Sequence, residues 1–336
     1  MSFKRLDPED ITISAEAVVA PAWSAQATQL TTFFTSSTQV ASNTGDYYYN
    51  IYNLDSDTTG TAVQFAAAFG NRVGSGSVNI NGIAGKSPSA ITYGQYRTLI
   101  TGDEDTDFTF GTTTPNSVFI LTVNRARYKE KLQPGTLNLT LASGSGALKL
   151  TDNSVNTTVV SFTDSGRVYD IISGSNGQSY DGGTGFTPSS GSYGKFLPDV
   201  GVVVLNAEAL KAPIAGGGLG LVLNEASNSA NPRNLNLLYN MIRQGSSFSV
   251  RSEETITSNF IFVRVRNSEY NYSTNPSNIT GSGELRYDVM VNSPQTYITT
   301  VGLYNDNNDL LGVAKLSRPL LKDFTKEALI RIKLDY

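Results

Sequence analysis

The stretch TYITTVGLYNDNNDLLGVAKLSRPLLKDFTKEALIRIKLDY, residues 296–336, contains the alternation that decides the fold class. Near its end, apolar and charged side chains take turns along the chain. The apolar phase holds Ala328, Ile330, Ile332, Leu334 and Tyr336, and the charged phase holds Arg331, Lys333 and Asp335. Because successive residues of a strand face opposite sides, this pattern predicts a half-buried antiparallel strand with its charged face outward.

A pair of strand-like segments lies just before it. Residues 297–304 and 310–316 are separated by the polar run 305–309, which consists of Asn and Asp alone. These two residue types tolerate left-handed backbone conformations, which tight turns require. The sequence therefore predicts a β-hairpin that turns within 305–309.

Short strand patterns recur along the rest of the chain. The predicted strands are 11–13, 46–54, 62–69, 118–123, 136–141, 147–150, 159–162, 168–172, 200–205 and 260–266. The Ala run within 62–69 also fits a helix, which is the alternative for that segment. The strands 136–141 and 147–150 flank the Gly- and Ser-rich segment 142–146, which predicts a second hairpin.

Two segments predict helices. The first is capped by Ser87, has Pro88 in its first turn and ends at Gly102; the second begins at Asn231 and Pro232 and ends at Gly245. The expected apolar faces are Ile91, Tyr96, Leu99 and Ile100 in the first helix, and Leu235, Leu238, Tyr239 and Ile242 in the second.

The fold class that follows is mainly β (β-sandwich-like, antiparallel) with a few short helices. We expect residues 1–135 and 195–336 to form a main β-rich domain, with 136–194 as an inserted small β subdomain. The segment 136–194 is set apart by its alternating strands and its Gly-, Ser- and Thr-rich loops.

The composition excludes several classes of active site. The 336 residues include no histidine and no cysteine, which removes disulfides, thiol nucleophiles, Ser-His pairs and the common zinc ligands. Carboxylate, Lys and Tyr chemistry stays open, but no particular pair of acids is marked. The formal net charge of −4 argues against a nucleic-acid partner, since phosphate binding needs clustered Lys and Arg. The expectation is a protein that is not an enzyme and needs no cofactor.

The sequence also bears on localisation. Acidic residues follow Lys4 and Arg5 closely and interrupt any secretory leader pattern, and no run of about 18 apolar residues occurs. We therefore expect folding in a cytoplasm without membrane insertion.

Two charged segments each have two interpretations, an ordinary solvated surface and a binding site. The loop 103–107, DEDTD, begins like a calcium loop but has Phe108 where the glycine belongs and Thr114 where the glutamate belongs. An acidic loop is the favoured interpretation, with a weak surface cation site as the alternative. The basic stretch 124–131 is interpreted as a solvated segment, with an anion or acidic-partner site as the alternative.

Tyrosines carry the clearest interaction signal. Tyr combines a large ring with a hydrated hydroxyl and is enriched at protein interfaces. Three consecutive tyrosines cannot all face one core, so at least one face near 47–49 must be covered by another layer or another chain. The candidate interface residues are Tyr47, Tyr48, Tyr49, Tyr52, Tyr270 and Tyr272, together with Arg331 and Lys333 of the last strand.

The hairpin segment resembles a recurrent pattern of phage tail proteins. ITTVGLYN at 298–305, followed by LLGVAK at 310–315 and a basic strand, is similar to the hairpin of tail-fibre attachment domains. The whole chain, from MSFKRLDPED to KDFTKEALIRIKLDY, also resembles virion structural proteins of large contractile-tailed phages, particularly those of cyanobacteria. The Gly- and Ser-rich region 136–194 departs from the hairpin pattern.

This resemblance implies a structural subunit of the virion, assembled in the host bacterial cytoplasm and placed in the tail baseplate as a wedge or periphery component. Its partners would be other tail or baseplate proteins, in a homo- or hetero-oligomer. The alternatives are a receptor-binding or glycan-acting tail protein, and a capsid or neck protein.

Overall fold

The computed structural model describes residues 4–35, 47–55, 58–180, 191–229, 233–273 and 275–335. The chain divides into two compact units. We call Met1–Ala17 with Thr255–Tyr336 the terminal unit, and Val18–Glu254 the central unit.

Most of the regular structure is antiparallel β. The described strands are β1 (Ile11–Pro21), β2 (Phe34–Thr35), β3 (Tyr48–Tyr52), β4 (Val63–Asn71), β5 (Ser117–Val123), β6 (Lys131–Leu132), β7 (Asn138–Ser143), β8 (Gly146–Asp152), β9 (Ser161–Thr163), β10 (Gly166–Ser175), β11 (Gln178–Ser179), β12 (Gly194–Leu197), β13 (Val202–Asn206), β14 (Ser247–Ser249), β15 (Arg251–Val265), β16 (Gln295–Tyr304), β17 (Leu310–Asp323) and β18 (Ala328–Asp335). The described α-helices are α1 (Pro88–Thr101), α2 (Ala207–Lys211), α3 (Arg233–Gly245) and α4 (Val289–Asn292). Single 3-10 turns occupy Pro8–Asp10, Ser24–Gln26, Ile80–Gly82, Arg125–Arg127, Ile214–Gly216 and Pro276–Asn278. The prediction of a mainly β, antiparallel fold with a few short helices is confirmed.

A large curled sheet organises the central unit. Its strands follow the order β14-β7-β8-β10-β12-β13-β5-β4-β3-β2, with β9 and β11 paired to β10. The middle strands β5 and β13 are buried on both faces. On β5, Phe119 and Leu121 point into one core cluster, whereas Val118 and Ile120 point into another, and β13 alternates in the same way. A strand covered on both sides has no hydrated face, which explains the continuous apolar run at 118–121.

Helices cover the two faces of this sheet. Leu210 of α2 and Leu238 and Ile242 of α3 belong to the first cluster. Tyr93 and Ile100 of α1 belong to the second cluster. The central unit is therefore layered, with helix on each side of the middle strands.

The first helix begins and ends where the sequence predicts. The Ser87 side chain accepts a hydrogen bond from the Ala90 backbone N–H, and Gly102 ends the helix in a left-handed conformation with φ of 71°. Glycine adopts this backbone conformation without a steric penalty.

The predicted apolar face of α1 is wrong in part. Tyr93 and Ile100 are buried and Tyr96 packs against the same cluster, whereas Ile91 and Leu99 are exposed. Positions 93, 96 and 100 lie three or four residues apart and share one helix face, from which 91 and 99 are rotated away. The choice of face was set by Phe108 and the sheet, which the helix sequence does not contain.

The second predicted helix, α3, buries Leu235, Leu238 and Ile242, and Tyr239 packs partly buried against the same cluster. Its predicted face is confirmed. The predicted cap residues Asn231 and Pro232 lie outside the described residues.

The strands of the region 136–194 belong to the large sheet. β7 and β8 form the predicted hairpin, with Gly144 in a left-handed conformation at its turn, and β8 pairs onward with β10 and β10 with β12. The two compact units divide the chain at other positions than the predicted boundaries. That 136–194 forms an inserted subdomain stays a prediction.

The terminal unit is a sheet packed on a hairpin. β15 lies between β1 and β18, and its register with β18 runs from Ser258 opposite Asp335 to Val265 opposite Ala328. β1 is longer than the predicted strand 11–13. The hairpin strands β16 and β17 form the second sheet. Their turn at 305–309 is as predicted, with Asn308 at φ of 65°.

One apolar core joins these two sheets. Ile261, Ile330 and Ile332 are buried in it, and hairpin residues including Ile298 and Val301 pack against them. The predicted inward phase of the last strand is confirmed for Ala328, Ile330 and Ile332. Leu334 is 40% exposed, because it lies near the strand end beyond the part that the hairpin covers, and Tyr336 lies outside the described residues.

Candidate interaction surface

The outer face of the β15–β18 sheet carries a row of cations. Arg264 lies opposite Leu329, Phe262 opposite Arg331, and Phe260 opposite Lys333. Directly paired residues of neighbouring strands share a face, and this face is the one turned away from the shared core. Arg264, Leu329, Arg331 and Lys333 are exposed on it. We call this set, with Phe260 and Phe262, the basic face.

Cations cover one of its aromatic rings. The Arg331 guanidinium carbon lies 5.4 Å from the centroid of the Phe260 ring, and the Lys333 Nζ atom lies 6.0 Å from it. Such contacts orient long side chains that otherwise sample many rotamers. The aliphatic and aromatic surface of the sheet is therefore overlaid with positive charge.

A carboxylate at the end of β18 belongs to the same face. The Ser258 hydroxyl donates to Asp335 Oδ1 at 2.6 Å, and Lys333 Nζ lies 3.0 Å from the same oxygen. The pKa of the Asp335 carboxyl lies below its usual range, mainly because of the hydrogen bond from Ser258 and also because of the one from Lys333. Asp335 is therefore ionised at neutral pH and offsets part of the positive charge.

The outer face of the β16–β17 hairpin is apolar at its turn end. Leu311 is 70% exposed and Val313 is 61% exposed, and Leu310 and Tyr297 are also exposed on these strands. The opposite phase of the same strands packs into the terminal core. Exposed apolar side chains gathered on one sheet face are typical of interaction surfaces, whereas scattered ones are ordinary.

The turn between these strands is acidic and tightly held. Asn305 Oδ1 accepts hydrogen bonds from the backbone N–H groups of Asn307 and Asp309, at 3.0 and 2.7 Å. Asn305 Nδ2 donates to Asp309 Oδ2 at 2.9 Å. This bonding fixes the turn, with Asp306 and Asp309 exposed at its surface.

The tyrosines near position 48 are divided between core and surface. Tyr49 is buried, its hydroxyl donates to Asn236 Oδ1, and its ring meets that of Tyr239 edge to face at 5.9 Å. Tyr48 is exposed and Tyr52 is half-buried, on the other phase of β3. The layer expected on one face of this strand is therefore supplied by helix α3 of the same chain.

Tyr47 lies beside a shallow depression between the starts of α1 and α3. The depression is also lined by Phe69, Ser77, Pro88 and Asn234. Ser77 and Ser89 are hydrogen bonded to each other there at 2.6 Å. Asn234 is hydrogen bonded to the Asn224 backbone, so these three polar side chains already have partners within the chain.

Tyr270 and Tyr272 lie on a loop that a buried lysine holds in place. The Lys322 amine is fully buried and donates to the Asn267 carbonyl at 3.0 Å, to Asn271 Oδ1 at 2.6 Å and to the Asp323 carbonyl at 2.8 Å. Tyr272 is exposed and Tyr270 is partly exposed. A buried ammonium is tolerated because three oxygens replace its hydration.

The eight predicted interface residues therefore fall into two groups. Tyr47, Tyr48, Tyr49 and Tyr52 belong to the central unit, and Tyr270, Tyr272, Arg331 and Lys333 to the terminal unit. Their interface role stays a prediction.

The last carboxylate of the acidic loop 103–107, Asp107, contacts side chains of the same unit. Asp107 lies 2.6 Å from Arg72 Nη1 and 3.6 Å from Arg97 Nη1, and it accepts a hydrogen bond from the Tyr93 hydroxyl. Asp103 accepts hydrogen bonds from Asp105 and Thr106. Within the described ranges, no group of three or more acidic side chains is placed to hold a metal ion.

The basic stretch 124–131 is also engaged within the central unit. Arg125 lies over the Tyr128 ring at 4.7 Å, Lys129 Nζ lies 2.5 Å from Glu254, and Lys131 Nζ lies 3.3 Å from Glu253. Each of these three cations therefore has a partner within the central unit, which the sequence alone does not show.

Comparisons with protein-family models, with curated proteins and with solved structures found no match to this chain. Among the described residues, no helix has both the length and the apolar character to cross a membrane.

Sequence reasoning missed the exposed apolar side of the hairpin and the buried Lys322. A signal for the first was present, since Leu310 and Leu311 are adjacent and cannot both face the core of one strand. Lys322 gave no comparable signal, because two of its three acceptors, at Asn267 and Asn271, lie 55 and 51 residues earlier in the chain.

Proposed function

We propose that this chain is a non-enzymatic structural subunit of a phage virion. Its place is the tail baseplate, at the wedge or periphery, where it holds neighbouring subunits or fibres by protein–protein contacts. It needs no cofactor in this role and is assembled into particles in the host cytoplasm.

The exposed apolar face of the β16–β17 hairpin is the observation that supports this proposal. Leu310, Leu311 and Val313 are exposed in the segment that resembles the hairpin of tail-fibre attachment domains. An assembly subunit keeps such side chains available until a neighbour buries them, and their burial then stabilises the contact.

The basic face adds a second surface to the same unit. Cations on a sheet face favour a neighbour with acidic groups and set its orientation. A subunit with two different exposed surfaces can bridge two neighbours, which a baseplate component has to do.

Immunogold electron microscopy of purified phage particles from the chain's source tests the placement. Antibody raised against the recombinant chain should label the far end of the tail, and antibody pre-absorbed with the chain should not. Gold on the head or neck would keep the structural role and overturn the placement. Absence of the chain from purified particles by mass spectrometry would overturn the virion role itself.

A further inference from the structure

Two surfaces of the terminal unit have opposite charge. The basic face carries Arg264, Arg331 and Lys333 next to the exposed Leu329. The hairpin turn carries the exposed Asp306 and Asp309. Leu310 and Leu311 follow that turn, and we call these four residues the acidic tip. Each surface thus combines charge with exposed aliphatic side chains.

The charges on each surface are largely available. Where β15 and β18 pair, at 258–265 and 328–335, the three cations outnumber the single carboxylate, Asp335, which Lys333 contacts at 3.0 Å. On the acidic tip, Asp309 accepts a hydrogen bond from the neutral Asn305. Neither Asp306 nor Asp309 forms an ion pair within 4 Å in the part of the chain that the structure describes.

The tip cannot reach the basic face of its own chain. Ile330 and Ile332 of β18 and Ile298 and Val301 of β16 share one core, so the hairpin packs on the inner side of the β15–β18 sheet. Arg331 and Lys333 alternate with those isoleucines and point to the opposite side. The two complementary surfaces therefore face away from each other across the unit.

We propose that the acidic tip of one copy docks on the basic face of a second copy. The tip is preorganised by the Asn305 hydrogen bonds, so docking orders little additional chain. Charge complementarity orients the two copies, and burial of Leu310 and Leu311 against Leu329 supplies the apolar part of the contact.

The contact joins two different patches and is therefore heterologous. Contacts of this kind repeat head to tail, so they close into a ring or extend into a filament. The inference does not depend on the proposed virion role, because self-association can be measured on the purified chain without particles.

Sedimentation velocity of the full-length chain over a range of concentrations and salt tests this proposal. Species larger than a monomer should grow with concentration and diminish as salt screens the charged contact. A chain that stays monomeric at every concentration in low salt overturns the proposal without any variant.

Charge reversal identifies the surfaces. The face variant is Arg331→Glu with Lys333→Glu, and the tip variant is Asp306→Lys with Asp309→Asn. An amide at 309 still accepts the Asn305 hydrogen bond that holds the turn. The apparent affinity of self-association should fall at least tenfold in each variant alone. An equimolar mixture of the face and tip variants should associate again, and so should the chain that carries all four substitutions.

A matched control makes the same charge change on the central unit. Lys86→Glu with Lys149→Glu alters two exposed lysines that belong to neither surface and should leave association unchanged. If the control lost as much self-association as the face variant does, association would depend on net charge and the assigned surfaces would be wrong. Failure of the mixture to associate would overturn the head-to-tail pairing.

Discussion

The middle strands of the central sheet and the strands of the terminal hairpin use apolar residues for different purposes. In β5, Val118 and Ile120 pack under one layer and Phe119 and Leu121 under another, so each apolar residue stabilises the fold. In β17, Ala314 and Leu316 pack into the core, whereas Leu311 and Val313 are exposed. Apolar side chains therefore stabilise the fold in β5 and form an exposed surface in β17, because other layers of the protein cover both faces of β5 and only one face of β17.

The largest expected difference between the two regions comes from a buried charge. Ile120→Asp places a carboxylate where the side chain is 1% exposed, with apolar neighbours on every side. The expected cost is several kcal/mol, which is comparable with the roughly 5–15 kcal/mol of stability that a domain possesses. We expect loss of soluble, folded protein, measured by yield and circular dichroism.

Val313→Asp is the matched change on the exposed face of the hairpin. We expect it to fold with stability near that of the unchanged chain, since the new carboxylate stays hydrated. If Val313→Asp abolished folding as Ile120→Asp does, the hairpin face would be covered and the comparison would fail.

Two glycines test the packing of the same regions by volume alone. An added Cβ at Gly194 of β12 would lie 2.1 Å from the Val204 carbonyl oxygen, which is backbone and cannot move aside cheaply. An added Cβ at Gly312 of β17 meets no atom of the described residues within 4 Å. We expect Gly194→Ala to destabilise the protein by about 3 kcal/mol, and Gly312→Ala to change stability by at most about 0.5 kcal/mol.

Urea denaturation of both alanine variants measures these changes. Equal midpoints for the two would show that the strand pair at Gly194 relaxes to admit a methyl group, and that the central sheet is looser than its burial indicates.

Substitution of Lys322 tests whether the hydrogen bonds of its buried amine stabilise the terminal unit. Lys322→Met removes the donor to three oxygens, two of which are backbone carbonyls, at a position where the lysine side chain is fully buried. We expect a loss of about 2 kcal/mol, because the acceptors keep their desolvation cost without a partner. Lys326→Met, at an exposed lysine nearby, should change stability by less than about 0.5 kcal/mol.

Limited proteolysis gives the local readout for Lys322. Faster cleavage within 267–273 in Lys322→Met, with no change in Lys326→Met, is the expected result. Unchanged cleavage there would mean that the loop carrying Tyr270 and Tyr272 is held by other contacts.

The smallest expected effect concerns a buried carboxyl at the end of β8. Asp152 is fully buried, its Oδ2 accepts the Gly135 N–H at 2.7 Å, and its Oδ1 has no hydrogen-bond partner among the described residues. Burial raises the pKa of Asp152 above its usual range.

The pH dependence follows from that direction. Between the ordinary and the raised pKa, the folded state holds a proton that the unfolded state has lost. The stabilisation is therefore complete at low pH and is lost as pH rises through the folded-state pKa. Asp152→Asn removes the titration and should raise the melting temperature by a few degrees at pH 7, with little difference near pH 3. A melting-temperature gap of the same size at both pH values would show that the carboxyl does not titrate in this window.

Much of the secondary structure could be predicted from local pattern. The alternation at 328–332, the Asn- and Asp-rich turn, the Ser87 and Gly102 helix ends and the hairpin around 142–146 all depend on residues near one another in the chain. The face of α1 could not be predicted, because Ile91 and Leu99 are as apolar as the residues that are buried. The exposure of Arg331 and Lys333 could be predicted from strand phase, whereas the exposure of Leu311 and Val313 was missed.

The sequence by itself determined the strand phases, the turns and the helix ends of this protein, since periodicity and backbone preference act over a few residues. The tertiary structure alone decided which faces are covered. Tyr49 meets Tyr239 across almost two hundred residues of chain, and Lys322 finds its acceptors at 267 and 271. Coverage is a property of segments brought together by folding, and it separates an apolar residue that holds the core from one that remains available to a neighbour.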